Sequence, residues 1–121
     1  KGISLHLDCC DDDTSVKIDI PLFEQVLQNV MKNAVESIEC DGYIYITTSV
    51  DNNRVCLEIA DTGKGISKEV EQNLFTPFFT TKPSGQGVGL MVVREILMSH
   101  HCKFSFYTDE NHITRFTIIF P

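Results

Sequence analysis

Apolar and polar residues alternate in several short stretches of the chain, which is the pattern of half-buried β-strands. Two pairs of these stretches are separated by short polar turns, at residues 51–53 and 109–111, so each pair is predicted to form an antiparallel hairpin. Strands are predicted over residues 3–7, 16–20, 43–50, 55–60, 103–108 and 113–120.

Helical spacing of apolar residues predicts two long helices, over residues 21–39 and 89–101. Pro21 suits a first helical turn, where a missing N–H costs nothing. A shorter helix is predicted from Ser67, a good capping residue, to residue 74. The mixture predicts a single α+β domain over residues 1–121, with one mixed, mostly antiparallel sheet and helices packed on one face.

Charge and composition argue against some classes of function. The formal charge is −7 and the ten Lys and Arg are scattered, which argues against binding to nucleic acid. No apolar run approaches the roughly 20 residues that span a bilayer. The five cysteines are an odd number without a Cys-x-x-Cys pair, so reduced thiols of a cytoplasmic domain are expected. The chain does not begin with Met, and we expect it to be a fragment of a longer protein.

Five of the seven glycines fall in two clusters, residues 63–65 and 85–89. Glycine lets a ligand approach the main chain closely, and the second cluster opens a helix, whose free N–H groups suit a phosphate. Lys82, just before that cluster, could reach a phosphate as a point charge or be an ordinary surface lysine. Each cluster alone is equally consistent with a simple turn.

Three polar residues share one side of the first long helix. Asn29, Asn33 and Glu36 project within about 60° of one another. Their oxygens could hold Mg²⁺, although spacing alone favours a plain polar flank of the helix. Asp61 ends a strand beside the first glycine cluster. It could accept a hydrogen bond from an exocyclic amine such as that of adenine, or merely cap a turn.

Four segments together resemble the sequence boxes of the GHKL ATPase superfamily, in the family's order. They are the N box (residues 28–34), the G1 box (61–66), the F box (74–82) and the G2 box (85–90). The Pro-Phe-Phe-Thr-Thr-Lys run of the F box is similar to sensor histidine kinases of the nitrogen-regulation class. The resemblance implies the Bergerat fold, a two-layer α/β sandwich that binds ATP and Mg²⁺ under a lid formed by residues 76–86.

The resemblance also implies roles for individual residues. Asn33 would be the magnesium ligand, Asn29 would support the metal or the phosphates, and Lys82 would complete the catalytic set. Asp61 would bind the adenine amine. The implied nucleotide-binding residues are Asn29, Asn33, Asp61, Gly63, Gly65, Ile66, Phe75, Thr81, Lys82, Gly85, Gly87, Val88, Gly89 and Leu90.

In such kinases the γ-phosphoryl passes to a histidine on a separate dimerisation domain of the same chain, and a response regulator acts downstream. The resemblance thus implies a cytoplasmic domain with no nucleic-acid partner and no direct membrane contact. The ATP-hydrolysing members of the superfamily that this chain resembles share a glutamate, which activates water, four residues before the metal-binding asparagine. This chain has Asn29 there, which cannot act as a base near neutral pH, so a transferase is favoured over a hydrolase.

Two features depart from the family pattern. Many relatives have a threonine six residues before the closing proline, where this chain has Arg115. No phosphoacceptor motif surrounds His6, His100, His101 or His112, which are interpreted as surface or packing residues. Two alternatives stay open: a nucleotide-responsive interaction module without kinase activity, and an anti-sigma-type serine kinase, which the F box fits less well.

Overall fold

The structure is a computed structural model that describes residues 2–9, 15–73 and 89–121. Within these ranges the chain forms five strands and three helices. The strands are β1 (Gly2–Asp8), β2 (Asp41–Asp51), β3 (Arg54–Asp61), β4 (Lys103–Thr108) and β5 (Thr114–Ile119). The helices are α1 (Ile20–Ser37), α2 (Lys68–Asn73) and α3 (Gly89–Ser99).

The predicted strand over residues 16–20 is wrong. Residues 15–19 have no regular structure, and α1 begins at Ile20. Asp19 has the extended backbone of an N-cap residue, and its side chain accepts a hydrogen bond of 3.1 Å from the backbone N–H of Leu22. This cap, followed by Pro21, starts the helix where three alternating apolar residues suggest a strand.

The strands form one mixed, mostly antiparallel sheet in the order β1-β2-β3-β5-β4, as predicted. β1 pairs with β2 in parallel, because α1 lies between them and supplies the crossover that parallel strands need. The other three pairs are antiparallel. Asn52 and Asn53 turn the β2–β3 hairpin with positive φ angles of 51° and 62°, a conformation that asparagine tolerates better than most residues.

A single core lies between the sheet and the helices. Phe23, Val26, Val30 and Ala34 form the buried stripe of α1, at the spacing of three and four residues that one helical face requires. Residues on one face of the sheet and on α3 complete the core, so the helices cover one face of the sheet, as predicted. The buried residues that the sheet and α3 contribute are Ile44, Ile59, Val93, Ile96, Leu97, Phe116 and Ile118.

The histidines fit their interpretation as surface or packing residues. His6 stacks on Tyr45 with ring centroids 5.2 Å apart. His100 packs edge-on against Phe23 at 5.2 Å, and its Nε2 accepts a hydrogen bond of 3.0 Å from the backbone N–H of Asp19. His100 thereby ties the start of α1 to the end of α3.

Candidate functional site

Asp61, the last residue of β3, is a buried carboxylate with only 5% of its surface exposed. Its Oδ1 accepts two hydrogen bonds of 2.9 Å, from the backbone N–H of Gly63 and from the hydroxyl of Ser37. Burial raises the pKa of Asp61, and these two bonds oppose that shift. A buried carboxylate at a strand end is well suited to recognise an N–H group of a ligand.

The loop that follows, residues 61–66 or the G1 loop, presses against the end of α1. A Cβ added to Gly63 would lie 2.6 Å from the carbonyl oxygen of Ser37 and 2.7 Å from its carbonyl carbon. That same oxygen accepts a hydrogen bond of 3.0 Å from the backbone N–H of Lys64. Only glycine fits at position 63, because the backbones of the loop and the helix nearly touch.

The other end of the G1 loop rests on the β4–β5 hairpin. Gly65 has a φ of +79°, which glycine adopts without the usual Cβ penalty. The backbone N–H of Ile66 donates a hydrogen bond of 2.8 Å to Oγ1 of Thr108. The backbone N–H of Thr108 donates in turn to Oε1 of Glu71 in α2, at 3.0 Å. The loop is therefore held from both sides.

Thr114 lies beside Asp61 and is not among the site residues predicted from the sequence. It pairs directly with Asp61 across β3 and β5, is 3% exposed, and lies 2.9 Å from Thr108 between hydroxyl oxygens. Arg115, at the position where many relatives have a threonine, points to the opposite face of the sheet and donates a hydrogen bond of 2.6 Å to Glu58. The alternation of side chains along a strand could have identified Thr114, because it lies on the same face of the sheet as the apolar Phe116 two residues later.

A polar stripe on α1 joins this loop to the start of α3. Asn29, Asn33 and Ser37 follow one another at intervals of four residues, so they lie on one helical face. Oδ1 of Asn29 lies 3.1 Å from the position that a Cβ on Gly89 would occupy. Ser37 reaches Asp61. The stripe rises about 12 Å along the helix, a length that suits a nucleoside and its first phosphates.

The remaining predicted site residues divide into two groups. Leu90 packs against the core from the first turn of α3. Phe75, Thr81, Lys82, Gly85, Gly87 and Val88, with the predicted lid of residues 76–86, lie outside the described residues. Across residues 2–9, 15–73 and 89–121, no helix is long and apolar enough to cross a membrane.

Comparisons with known proteins identify the family of this chain. The family model described as histidine kinase-, DNA gyrase B-, and HSP90-like ATPase matches residues 18–121. Sensor histidine kinase ZraS of Escherichia coli strain K12 is 34% identical over 121 residues, covering 100% of this chain and 26% of that protein. Sporulation kinase E of Bacillus subtilis strain 168 is 32% identical, covering 99% of this chain and 16% of that protein.

Solved structures give the same result for the fold. The catalytic domain of histidine kinase ThkA superimposes with a TM-score of 0.86 at 32% identity, covering 98% of this chain and 78% of that one. Full-length ShkA in complex with AMPPNP superimposes with a TM-score of 0.86 at 25% identity, covering 99% of this chain and 26% of that one. The α+β two-layer architecture of histidine kinase catalytic domains is thus confirmed.

The chain spans about a quarter or less of the curated sensor kinases named above. The similarity of the F box to the nitrogen-regulation class stays a prediction, as do the roles of individual residues. The family itself is shown, because the match extends from residue 18 to the last residue. The chain belongs to the histidine kinase-, DNA gyrase B- and HSP90-like ATPase family, and its relatives are sensor histidine kinases.

Proposed function

We propose that this domain binds ATP with Mg²⁺ and transfers the γ-phosphoryl group to a histidine on a separate dimerisation domain. The observation that carries the proposal is the buried carboxylate of Asp61, held beside two close-packed glycines in a domain of the histidine kinase family. A carboxylate accepts hydrogen bonds only, so in its ionised form it selects a donor such as the exocyclic amine of adenine. Family and site chemistry therefore point to the same ligand.

The described residues support one direction for the nucleotide. The base lies against the G1 loop, with Asp61 reading its amine and Gly63, Gly65 and Ile66 beside the ring. The phosphates extend along the α1 stripe toward Gly89, where the first N–H groups of α3 have no partner within their own helix and the helix dipole has its positive end. Residues outside the described ranges complete this proposed site. They are Phe75, Thr81, Lys82, Gly85, Gly87 and Val88.

Asn33 and Asn29 are the proposed metal-side residues. Mg²⁺ prefers oxygen ligands, keeps several waters and is commonly shared with substrate phosphates, so it needs few ligands from the protein. The α1 stripe supplies such an oxygen at Asn33, with Asn29 one turn closer to α3. The ion neutralises phosphate charge when bound, while these side chains orient the triphosphate against the helix.

Position 29 supports phosphoryl transfer over hydrolysis. A hydrolase needs a base that orients and activates water, and an asparagine amide does not act as one at neutral pH. The amide nitrogen of Asn29 donates to the backbone carbonyl of Gln25 at 3.0 Å. This bond orients the side chain, which cannot accept a proton from water as a carboxylate could. The acceptor is therefore proposed to be a protein side chain presented by another domain.

The partners follow from the length of the relatives, which exceeds that of this chain about fourfold or more. We propose that the longer chain contains the dimerisation and histidine-phosphotransfer domain, that a response regulator receives the phosphoryl group, and that the kinase domain works in the cytoplasm. No nucleic acid is proposed as a partner, since the net charge of −7 repels phosphate backbones.

A phosphorylation assay tests this function. The longer chain is incubated with γ-labelled ATP and Mg²⁺, and the label is tested for stability in acid and in alkali. Acid-labile, alkali-stable label that disappears in Asp61→Asn and persists in the exposed control Ser49→Ala is the expected result. Binding of ATP without any acid-labile label would instead indicate a nucleotide-responsive module, and an acid-stable label would indicate a serine or threonine acceptor.

A further inference from the structure

Ser37 is the last residue of α1 and has no role in the site described by the sequence boxes. Its hydroxyl lies 2.9 Å from Oδ1 of Asp61 and 2.9 Å from the backbone carbonyl of Ala34. Its own carbonyl accepts the hydrogen bond from Lys64. One residue therefore contacts both the buried carboxylate and the loop that follows it.

The hydroxyl has a single proton and two acceptors within reach. A hydrogen bond to an ionised carboxylate is stronger than one to a neutral carbonyl, so the proton faces Asp61 when that group is ionised. Gly63 already donates to the same Oδ1. Both bonds end on one carboxylate oxygen, and together they fix the rotation of the carboxylate plane.

We infer that Ser37 is a positioning residue for base recognition: by holding Oδ1 of Asp61 together with Gly63, it turns Oδ2 toward the exocyclic amine of the purine. This inference rests on the proposed ATP-binding function and deepens it, because it makes a residue of the N-box helix a determinant of base selectivity. Without the hydroxyl, one of the two bonds that fix the carboxylate is lost, while the backbone contact to Lys64 remains.

The test compares Ser37→Ala with Ser99→Ala. Ser99 is a matched control, because its hydroxyl also donates to the carbonyl three residues earlier in a helix, Ile96, at 2.8 Å. Its other contact among the described residues is with Nδ1 of His100 at 3.4 Å, not with a carboxylate. Calorimetric titrations with Mg²⁺ use two ligands, a non-hydrolysable ATP analogue and the corresponding purine riboside triphosphate analogue that lacks the 6-amino group. Thermal melts check that each variant is folded.

Ser37→Ala should bind the ATP analogue about tenfold more weakly, the effect of one charge-assisted hydrogen bond. Its affinity for the analogue without the amine should change by less than about twofold, and Ser99→Ala should match the wild type with both ligands. The acid-side loss of ATP affinity should also move to higher pH in Ser37→Ala, because the bond from Ser37 lowers the pKa of Asp61.

Three results would decide against the inference. Equal losses for both ligands would mean that Ser37 only supports the helix end, and unchanged binding would mean that Gly63 alone orients the carboxylate. An unmoved pH profile would show that the hydroxyl does not bond the ionised group. All three leave ATP binding by the wild type intact, whereas a wild type that binds neither ligand would overturn the proposed function itself.

Discussion

Replacing Gly63 by alanine perturbs the closest backbone contact near the site. The new Cβ would lie 2.6 Å from the carbonyl oxygen of Ser37, where ordinary contact begins at 3.4 Å, so loop and helix must separate by about 0.8 Å. The nearest obstructing atom is the hydroxyl oxygen of Ser37, which can rotate away only by giving up its bond to Asp61. The next two are main-chain atoms of Ser37 at the end of α1, which cannot rotate away. The separation therefore falls on the hydrogen bonds that join loop and helix.

The cost follows from those bonds. The 3.0 Å bond from Lys64 to Ser37 would stretch beyond hydrogen-bonding range and lose about 0.5–1.5 kcal/mol. The bond from Ser37 to Asp61 involves a carboxylate and is worth about 1.5–3 kcal/mol. The stiffer unfolded chain returns only about 0.4–1 kcal/mol. Gly63→Ala should thus destabilise the fold by about 1–4 kcal/mol, which lowers the melting temperature by about 4–16 °C at about 4 °C per kcal/mol.

Thermal and urea unfolding measure this cost, with Gly2→Ala as the control. A Cβ on Gly2 would lie 2.6 Å from the side-chain oxygen of Asp41 and 3.6 Å from its carboxyl carbon, and this exposed side chain can rotate, so stability should change by less than about 0.5 kcal/mol. Nucleotide affinity should fall in Gly63→Ala and stay unchanged in Gly2→Ala. A Gly63→Ala protein as stable as the wild type would refute the close packing of loop and helix.

Three further outcomes are expected. Asp61→Asn should raise the melting temperature above about pH 4 and lose that advantage below it. Burial holds the pKa of Asp61 in the folded protein above its ordinary value of 3.8, so ionisation of this carboxylate lowers the stability of the wild type as pH rises. A variant less stable than the wild type in thermal melts at pH 7 would contradict this. Leu97→Ala should lose about 2–5 kcal/mol in urea unfolding, since the side chain is 0% exposed, and a smaller loss would mean that the core can collapse around it. Arg115→Met should lower stability by less than Leu97→Ala. It should also reduce the loss of stability that the wild type shows as pH falls, because the bond from Arg115 lowers the pKa of Asp109 in the folded state. An unchanged dependence of the melting temperature on acid pH would contradict that pairing.

The parts of the fold that are local in sequence could be predicted. The β2–β3 hairpin follows from strand alternation around Asn52 and Asn53, and the α1 core stripe follows from helical spacing. The error at residues 16–20 came from a short alternating pattern that the helix start at Asp19 overrode. A three-residue alternation is a weak signal beside a cap that satisfies a helical N–H.

The contacts that hold the site could not be predicted, because they join residues distant in sequence. Ser37 and Asp61 are 24 positions apart, and Ile66 and Thr108 are 42 positions apart. Only the sheet register brings Thr114 opposite Asp61. The glycine clusters indicated a close approach of the main chain to a ligand or to another segment, but only the structure shows that Gly63 lies against the end of α1.

Titration of the 121-residue domain with a non-hydrolysable ATP analogue tests the central claim most directly. The wild type should bind saturably, bind more weakly when Mg²⁺ is chelated, and lose about a hundredfold in affinity in Asp61→Asn, the effect of removing a buried charged acceptor. A wild type that does not bind the analogue, or an Asp61→Asn variant that binds as tightly as the wild type, would contradict the assignment of Asp61 and the G1 loop as an adenine nucleotide site.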